Sequence, residues 1–123
     1  MRWTVEELPR EMQVGEISTR AADCGEIYTR HIDLPAGTDF TPLLKGLPGD
    51  LCGCPHWGQV LEGSITLQYA DGTQETNRAG DIFHWPAGHT GWTDEGVVFL
   101  ELSPTEAIAP VLQHLALQLA PSA

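Results

Sequence analysis

Sulfur and imidazole donors crowd into one short stretch, Cys52-Gly53-Cys54-Pro55-His56, and a further histidine stands at position 89. Thiolates and neutral imidazoles suit zinc, and two of each would make a tetrahedral, charge-neutral set. In extended chain, positions 52 and 54 share one face with alpha carbons roughly 6.5–7 Å apart, beyond the usual span of a disulfide. A shared metal fits that spacing better than a bridge. Position 56 is the obstacle, because a straight strand puts it roughly 13 Å from position 52, too far for one ion. Pro55 removes it: proline cannot donate a ladder hydrogen bond, so the strand bends or ends there. Cys52, Cys54, His56 and His89 are therefore the candidate ligands, with Zn2+ the expected ion. Four ligands would make a closed, structural site, and three would leave a position for an activated water. Asp50 shares the face of Cys52 in extended chain, but Gly49-Asp50 is also turn chemistry.

Three of the four tryptophans, Trp57, Trp85 and Trp92, sit beside the two donor regions. Trp57 and Trp92 are candidate walls of a small-molecule pocket, whereas Trp85 alternates with Phe83 and reads as core. His84 has the opposite parity and reads as surface, as do His31 and His114. Cys24 reads as a small residue at a strand entrance. Glu101 interrupts the apolar run Val97-Val98-Phe99-Leu100-Glu101-Leu102. If Val98, Leu100 and Leu102 face the core, Glu101 is solvated. If Val97 and Phe99 do, Glu101 goes in with them, where burial would raise its pKa and make it a general acid/base candidate.

Period-2 alternation broken by turn chemistry runs from about residue 12 to about residue 102. It predicts strands over 12–17, 26–32, 59–61, 65–69, 74–77, 82–85 and 97–102. Glu62-Gly63-Ser64 and Asp71-Gly72 read as hairpin turns. From Ser103 the period changes: Ser103 can cap, Pro104 fits the first helical position, and Glu106 stands three residues after the cap. Ile108, Val111, Leu112, Leu115 and Leu119 then recur at helical spacing, predicting a C-terminal helix over 104–119. The 123 residues form one domain of ordinary size, rich in Gly (13) and Pro (9). Many short strands in one such domain mean a sandwich or barrel.

Composition excludes several functions. Six basic residues against seventeen acidic ones give a net charge of −11, which a duplex or an anionic membrane would repel. No apolar run approaches the roughly 18 residues of a membrane span. The acidic start, Met1 to Glu7, does not resemble a signal peptide, and three cysteines argue against a disulfide framework. A cytoplasmic protein is the expectation.

The string Gly80-Asp81 … Pro86-Ala87-Gly88, with Val60-Leu61-Glu62-Gly63 upstream, resembles the cupin family. Gly80, Pro86 and Gly88 fall on the first three fixed positions of its second motif, G-x5-P-x-G-x2-H-x3-N, and Gly63 on the closing glycine of its first, G-x5-H-x-H-x3,4-E-x6-G. The string from Leu51 to Gly63 looks like a subgroup of small bacterial cupins. The resemblance covers residues 27–103 and implies an all-β jelly roll with a metal in the mouth. The ligand positions depart from the pattern. His56 stands at the Glu position, Asp50 and Cys52 at the paired His positions, Gly91 at the second-motif His and Glu95 at its Asn, with His89 two residues before Gly91. Three histidines and a carboxylate would suit iron, manganese or nickel; the donors present shift the expectation to zinc. Three functions then compete: a metalloenzyme of isomerase, lyase or oxygenase type, a zinc or redox sensor module, and a metal-free binder of a hydrophobic ligand. Open sheet edges and the Leu stripe of the helix predict a homodimer.

Overall fold

Alternating apolar residues build eight antiparallel strands: β1 (Arg10–Val14), β2 (Ile17–Cys24), β3 (Ile27–Leu34), β4 (His56–Tyr69), β5 (Gln74–Arg78), β6 (Ile82–Trp85), β7 (His89–Trp92) and β8 (Val97–Pro104). One helix, α1 (Thr105–Leu119), follows. The computed structural model describes residues 1–120. Strand order is β1-β2-β3-β8-β4-β5, with β6 and β7 also pairing with β4. The fold is the expected all-β jelly roll with a short C-terminal helix. Among the described residues, no helix is long and apolar enough to cross a membrane.

Glycines explain where strand boundaries differ from the pattern. Residues 62–64 form no hairpin; β4 runs through them for 14 residues. Gly63 has φ +72, and a Cβ there would lie 2.0 Å from the Gly96 carbonyl oxygen. Only glycine permits that approach, so the chain turns a corner within one strand. Up to Gly63, β4 pairs with β6 and β8; from Ser64 onward it pairs with β5 and β7. Residues 12–17 are likewise two strands, turning at Gly15 (φ +58). Neither the short strand β7 nor β2 beyond Ile17 is marked by the sequence pattern.

Two clusters of buried side chains fill the interior. Ile32, Leu34, Val60, Ile65, Leu67, Phe83, Trp85, Val97 and Phe99 form the larger. Ile108, Val111 and Leu115 of α1 pack with Leu44, Cys52 and Cys54 in the other. Burying each large aliphatic side chain stabilises by about 1.5–3 kcal/mol, so the apolar stripe of α1 holds the helix against its own chain. Ser103 does not cap the helix. It continues the inward parity of Phe99 and Glu101 and is buried, and the helix instead starts at Thr105, whose N–H donates to Glu26 O (2.9 Å) and whose hydroxyl donates to Gly25 O (2.7 Å).

Gly58 lies tight against β8: a Cβ there would fall 1.9 Å from Leu100 O and 2.7 Å from the Phe83 ring. Gly58→Ala is expected to lower stability by about 1–3 kcal/mol, read as a reduced urea midpoint; an unchanged midpoint would contradict this close approach.

Candidate metal centre

Three of the four predicted donors converge. Pro55 ends the preceding loop and β4 begins at His56, so Cys52 is not on a strand leading away from it. The Cys52 N–H donates to His89 O (2.8 Å) and the Gly88 N–H donates to Cys52 O (2.8 Å), which pins the loop beside β7. Potential ligand atoms of Cys52, His56 and His89 all lie within 4.8 Å of one another, and all three residues are buried. The segment that spacing alone would have stretched to roughly 13 Å closes to 3.5 Å between Cys52 Sγ and His56 Nε2.

Hydrogen bonds decide how the imidazoles point. His89 Nδ1 lies 2.7 Å from the Pro86 carbonyl oxygen. A carbonyl only accepts, so Nδ1 carries the proton and Nε2 the lone pair. His56 Nδ1 donates to Ser103 Oγ at 2.7 Å, and the Ser103 hydroxyl donates to Glu101 Oε1 at 3.4 Å. His56 Nε2 is then the acceptor facing Cys52. Imidazoles held at one nitrogen by an oxygen, with the other nitrogen free to donate a lone pair, are the usual arrangement around a metal.

Behind this lies a buried charged chain. Arg30 donates from Nη1 to Glu101 Oε1 (3.2 Å) and from Nε to Glu11 Oε1 (2.9 Å); Tyr28 Oη donates to Glu11 Oε2, and Thr19 Oγ1 to Glu11 Oε1 (2.9 Å). Arg30 and Glu101 face each other across β3 and β8. The structure thus selects the packing with Val97, Phe99 and Glu101 inward. It overturns the expected consequence for the carboxyl. Burial does push the Glu101 pKa up, but the charges of His56 and Arg30 and the Arg30 hydrogen bond pull harder, and the net shift is downward. At neutral pH the hold is Arg30's, because burial pushes the His56 pKa down to about 4, only partly opposed by Glu101. Burial lowers His89 as well. Burial raises the Cys52 thiol to about 11, so a metal binding there would displace a proton.

Other predicted residues fall elsewhere. Cys54 is fully buried but outside the donor group; its thiol donates to Pro55 O (3.3 Å) and packs beneath α1. The reason is that 52 and 54 do not share a strand face. Burial, then the neighbouring Cys52, lifts its pKa to about 12. Asp50 is exposed and turns the chain, accepting from the Gly46 N–H. Trp57 and Trp92 stand outside the wall of the cavity beside the donors. Trp57 follows inward His56 on β4, so alternation turns it outward, where it stacks on His84 at the surface (4.7 Å, 13°). Trp85, paired with His56 across β4 and β6, is the tryptophan that meets the site, edge-on to His56 and His89.

Cys52, His56, His89, Arg30 and Glu101 stand together in the wall of a cavity of about 80 Å3, whose other walls are mainly apolar. Arg30 and Glu11 were missed in the sequence. For Arg30 a signal existed, since it shares parity with Ile32 and Leu34, which marks an inward-facing charge that needs partners.

No family model and no curated protein matches this sequence. Solved structures do. A Rhizobium leguminosarum protein of unknown function is 19% identical, with a TM-score of 0.62 over 85% of this chain and 95% of that one. The oxalate decarboxylase of Lactobacillus farciminis, in complex with formate, is 17% identical, with a TM-score of 0.57 over 83% of this chain and 32% of its own length. An ethanolamine utilization protein Q from Salmonella typhimurium is 16% identical, with a TM-score of 0.54 over 72% and 68%. At these identities the likeness establishes the fold, which is that of the cupins.

Acid should weaken the metal-free protein. His56 has a lower pKa folded than unfolded, so the unfolded chain binds the proton more readily, and stability falls as pH drops from about 6.5 to about 4, by at most about 3 kcal/mol. Glu101 is depressed in the fold, so its contribution is present above the unfolded value of 4.5 and fades as pH falls further. Urea midpoints measured with chelator should decline from pH 7 to pH 5, and His56→Gln should flatten that decline. A level curve in the parent protein would contradict the assignment.

Proposed function

We propose that this chain is a cupin module that binds one divalent metal ion, zinc by donor chemistry, through Cys52, His56 and His89, and holds a small molecule in the adjoining cavity. The observation that carries this reading is the pair of fixed imidazole tautomers, each with its Nδ1 bonded to an oxygen and its lone pair left for the space beside Cys52. Charge supports it. Glu11, Arg30 and Glu101 leave the interior with a net −1, and a divalent ion with a Cys52 thiolate brings the sum to zero. Three protein donors leave a coordination position toward the cavity, as in open rather than closed sites. A metal so bound acidifies water and polarises carbonyl oxygens. Glu101 orients His56 through Ser103, and its role is that of a positioning residue and not of a general acid. Cys54 is left as a packing residue.

The overall charge of −11 fits a small-molecule role and not nucleic-acid binding. The free thiols Cys24, Cys52 and Cys54 fit the reducing cytoplasm. A second copy is proposed to cover the outer sheet face, where Trp57 lies opposite Leu102 and Ile82 is 82% exposed.

Protein purified without added metal should contain one equivalent of zinc by elemental analysis. Cys52→Ala, His56→Ala and His89→Ala should each lose it, while Cys54→Ala keeps it. A metal-free parent would favour the reading as a simple hydrophobic-ligand binder, and loss in Cys54→Ala would restore that residue to the ligand set. Light scattering should give twice the chain mass, falling to one in Ile82→Glu; a monomeric parent removes the dimer.

A further inference from the structure

We infer that the cavity selects small uncharged molecules of about three or four heavy atoms bearing one lone-pair donor, such as a ketone, aldehyde or alcohol, and rejects carboxylates of the same shape. This rests on the metal reading above and adds the class of ligand.

Size sets the first limit. The cavity measures about 80 Å3; a liquid water occupies about 30 Å3, and a dry cavity of about 150 Å3 accepts benzene. On that scale the cavity holds about three heavy atoms, so a ring is too large and a two-carbon or three-carbon chain with one oxygen fills the space. Wall chemistry sets the second. Leu44, Ile65, Leu67, Phe99 and Ile108 present hydrocarbon, and the donor group lies together with Arg30 and Glu101. A ligand must therefore be apolar over most of its surface and polar at one atom, turned toward Cys52, His56 and His89.

Charge sets the third and most selective limit. Arg30 is the only cationic side chain among the described residues lining the cavity, and it is buried. Both of its described contacts go to carboxylates, Nε to Glu11 at 2.9 Å and Nη1 to Glu101 at 3.2 Å. Glu101 itself borders the cavity. With a divalent ion and the Cys52 thiolate, the buried charges already sum to zero. An anionic ligand would add an uncompensated negative charge beside Glu101, in an interior that solvates charge poorly. A carbonyl or hydroxyl oxygen offers its lone pair without that cost. Relaxing the double claim on Arg30 should reverse the preference, because the guanidinium would then have charge to share.

Acetone and acetate make the test, since each has four heavy atoms in the same planar arrangement and they differ in charge. Metal content is measured first; each probe is then titrated into the zinc-loaded protein while the methyl resonances of Ile65 and Leu67 are followed by NMR. Acetone should shift them with a dissociation constant at least tenfold below that of acetate. Glu11→Gln keeps an acceptor oxygen for Arg30 but removes a charge, and should tighten acetate at least fivefold with acetone unchanged. Acetate binding as tightly as acetone in the parent protein, or neither probe moving the methyls, overturns the inference. If Glu11→Gln does not fold, the parent comparison decides alone. If the protein carries no metal, the metal reading fails separately, and the same titration on the metal-free chain still decides the preference for neutral ligands.

Discussion

A guanidinium buried inside a β-barrel is the constraint on which the rest of this structure depends. Arg30 cannot lose its proton, so its charge must be met where it stands. Glu11 from β1 and Glu101 from β8 meet it from opposite sides of β3. Removing Arg30 would leave two buried carboxylates uncompensated, which is far more destabilising than the intact set is stabilising. The three strands are thereby held in one register, and Glu101 is held ionised. From Glu101 the order passes through the Ser103 hydroxyl to His56, whose ring has one orientation left. The site is thus defined by side chains that never touch a ligand atom of the centre.

The backbone supplies a second, independent constraint. β4 begins with His56 and ends at Tyr69, and it turns its corner at Gly63 against Gly96. One strand thereby pairs with β6 and β8 at its start and with β5 and β7 at its end. His56 comes from its first residue, and His89 from the strand opposite its last. Cys52 reaches them through a two-bond backbone bridge to β7. Main-chain hydrogen bonds, more than side-chain packing, therefore bring donors 37 residues apart in sequence within reach of each other.

Much of this was legible in the chain. Period-2 patterning located most strands, the helical stripe of Ile108, Val111 and Leu115 located the buried face of α1, and Pro55 foretold the bend that joins Cys52 to His56. Failures share a cause. Gly63 reads as a turn because sequence shows that a glycine is needed but not whether the chain then reverses or merely bends. Cys54 looked equivalent to Cys52 because spacing was read on a strand that is not formed. Trp57 is close to the donors in sequence, yet neighbours on a strand face opposite ways, and it turns outward from His56. Ser103 satisfied every local rule for a helix cap, yet an inward hydroxyl between a buried carboxylate and an imidazole has a stronger claim on it. Long-range partners, Glu11 for Arg30 above all, leave no local trace.

Trp85 gives the molecule one more property. Its indole stands edge-on to both His56 and His89, with ring centres about 6 Å away, and donates its N–H to Asn77 (2.8 Å). Trp3 and Trp57 are exposed and Trp92 is half-buried outside the cavity wall. The innermost fluorophore of the chain is therefore also the one in contact with the histidine pair. Its burial against those rings makes it a built-in optical gauge of what they hold, set apart from its solvent-facing counterparts and needing no added label.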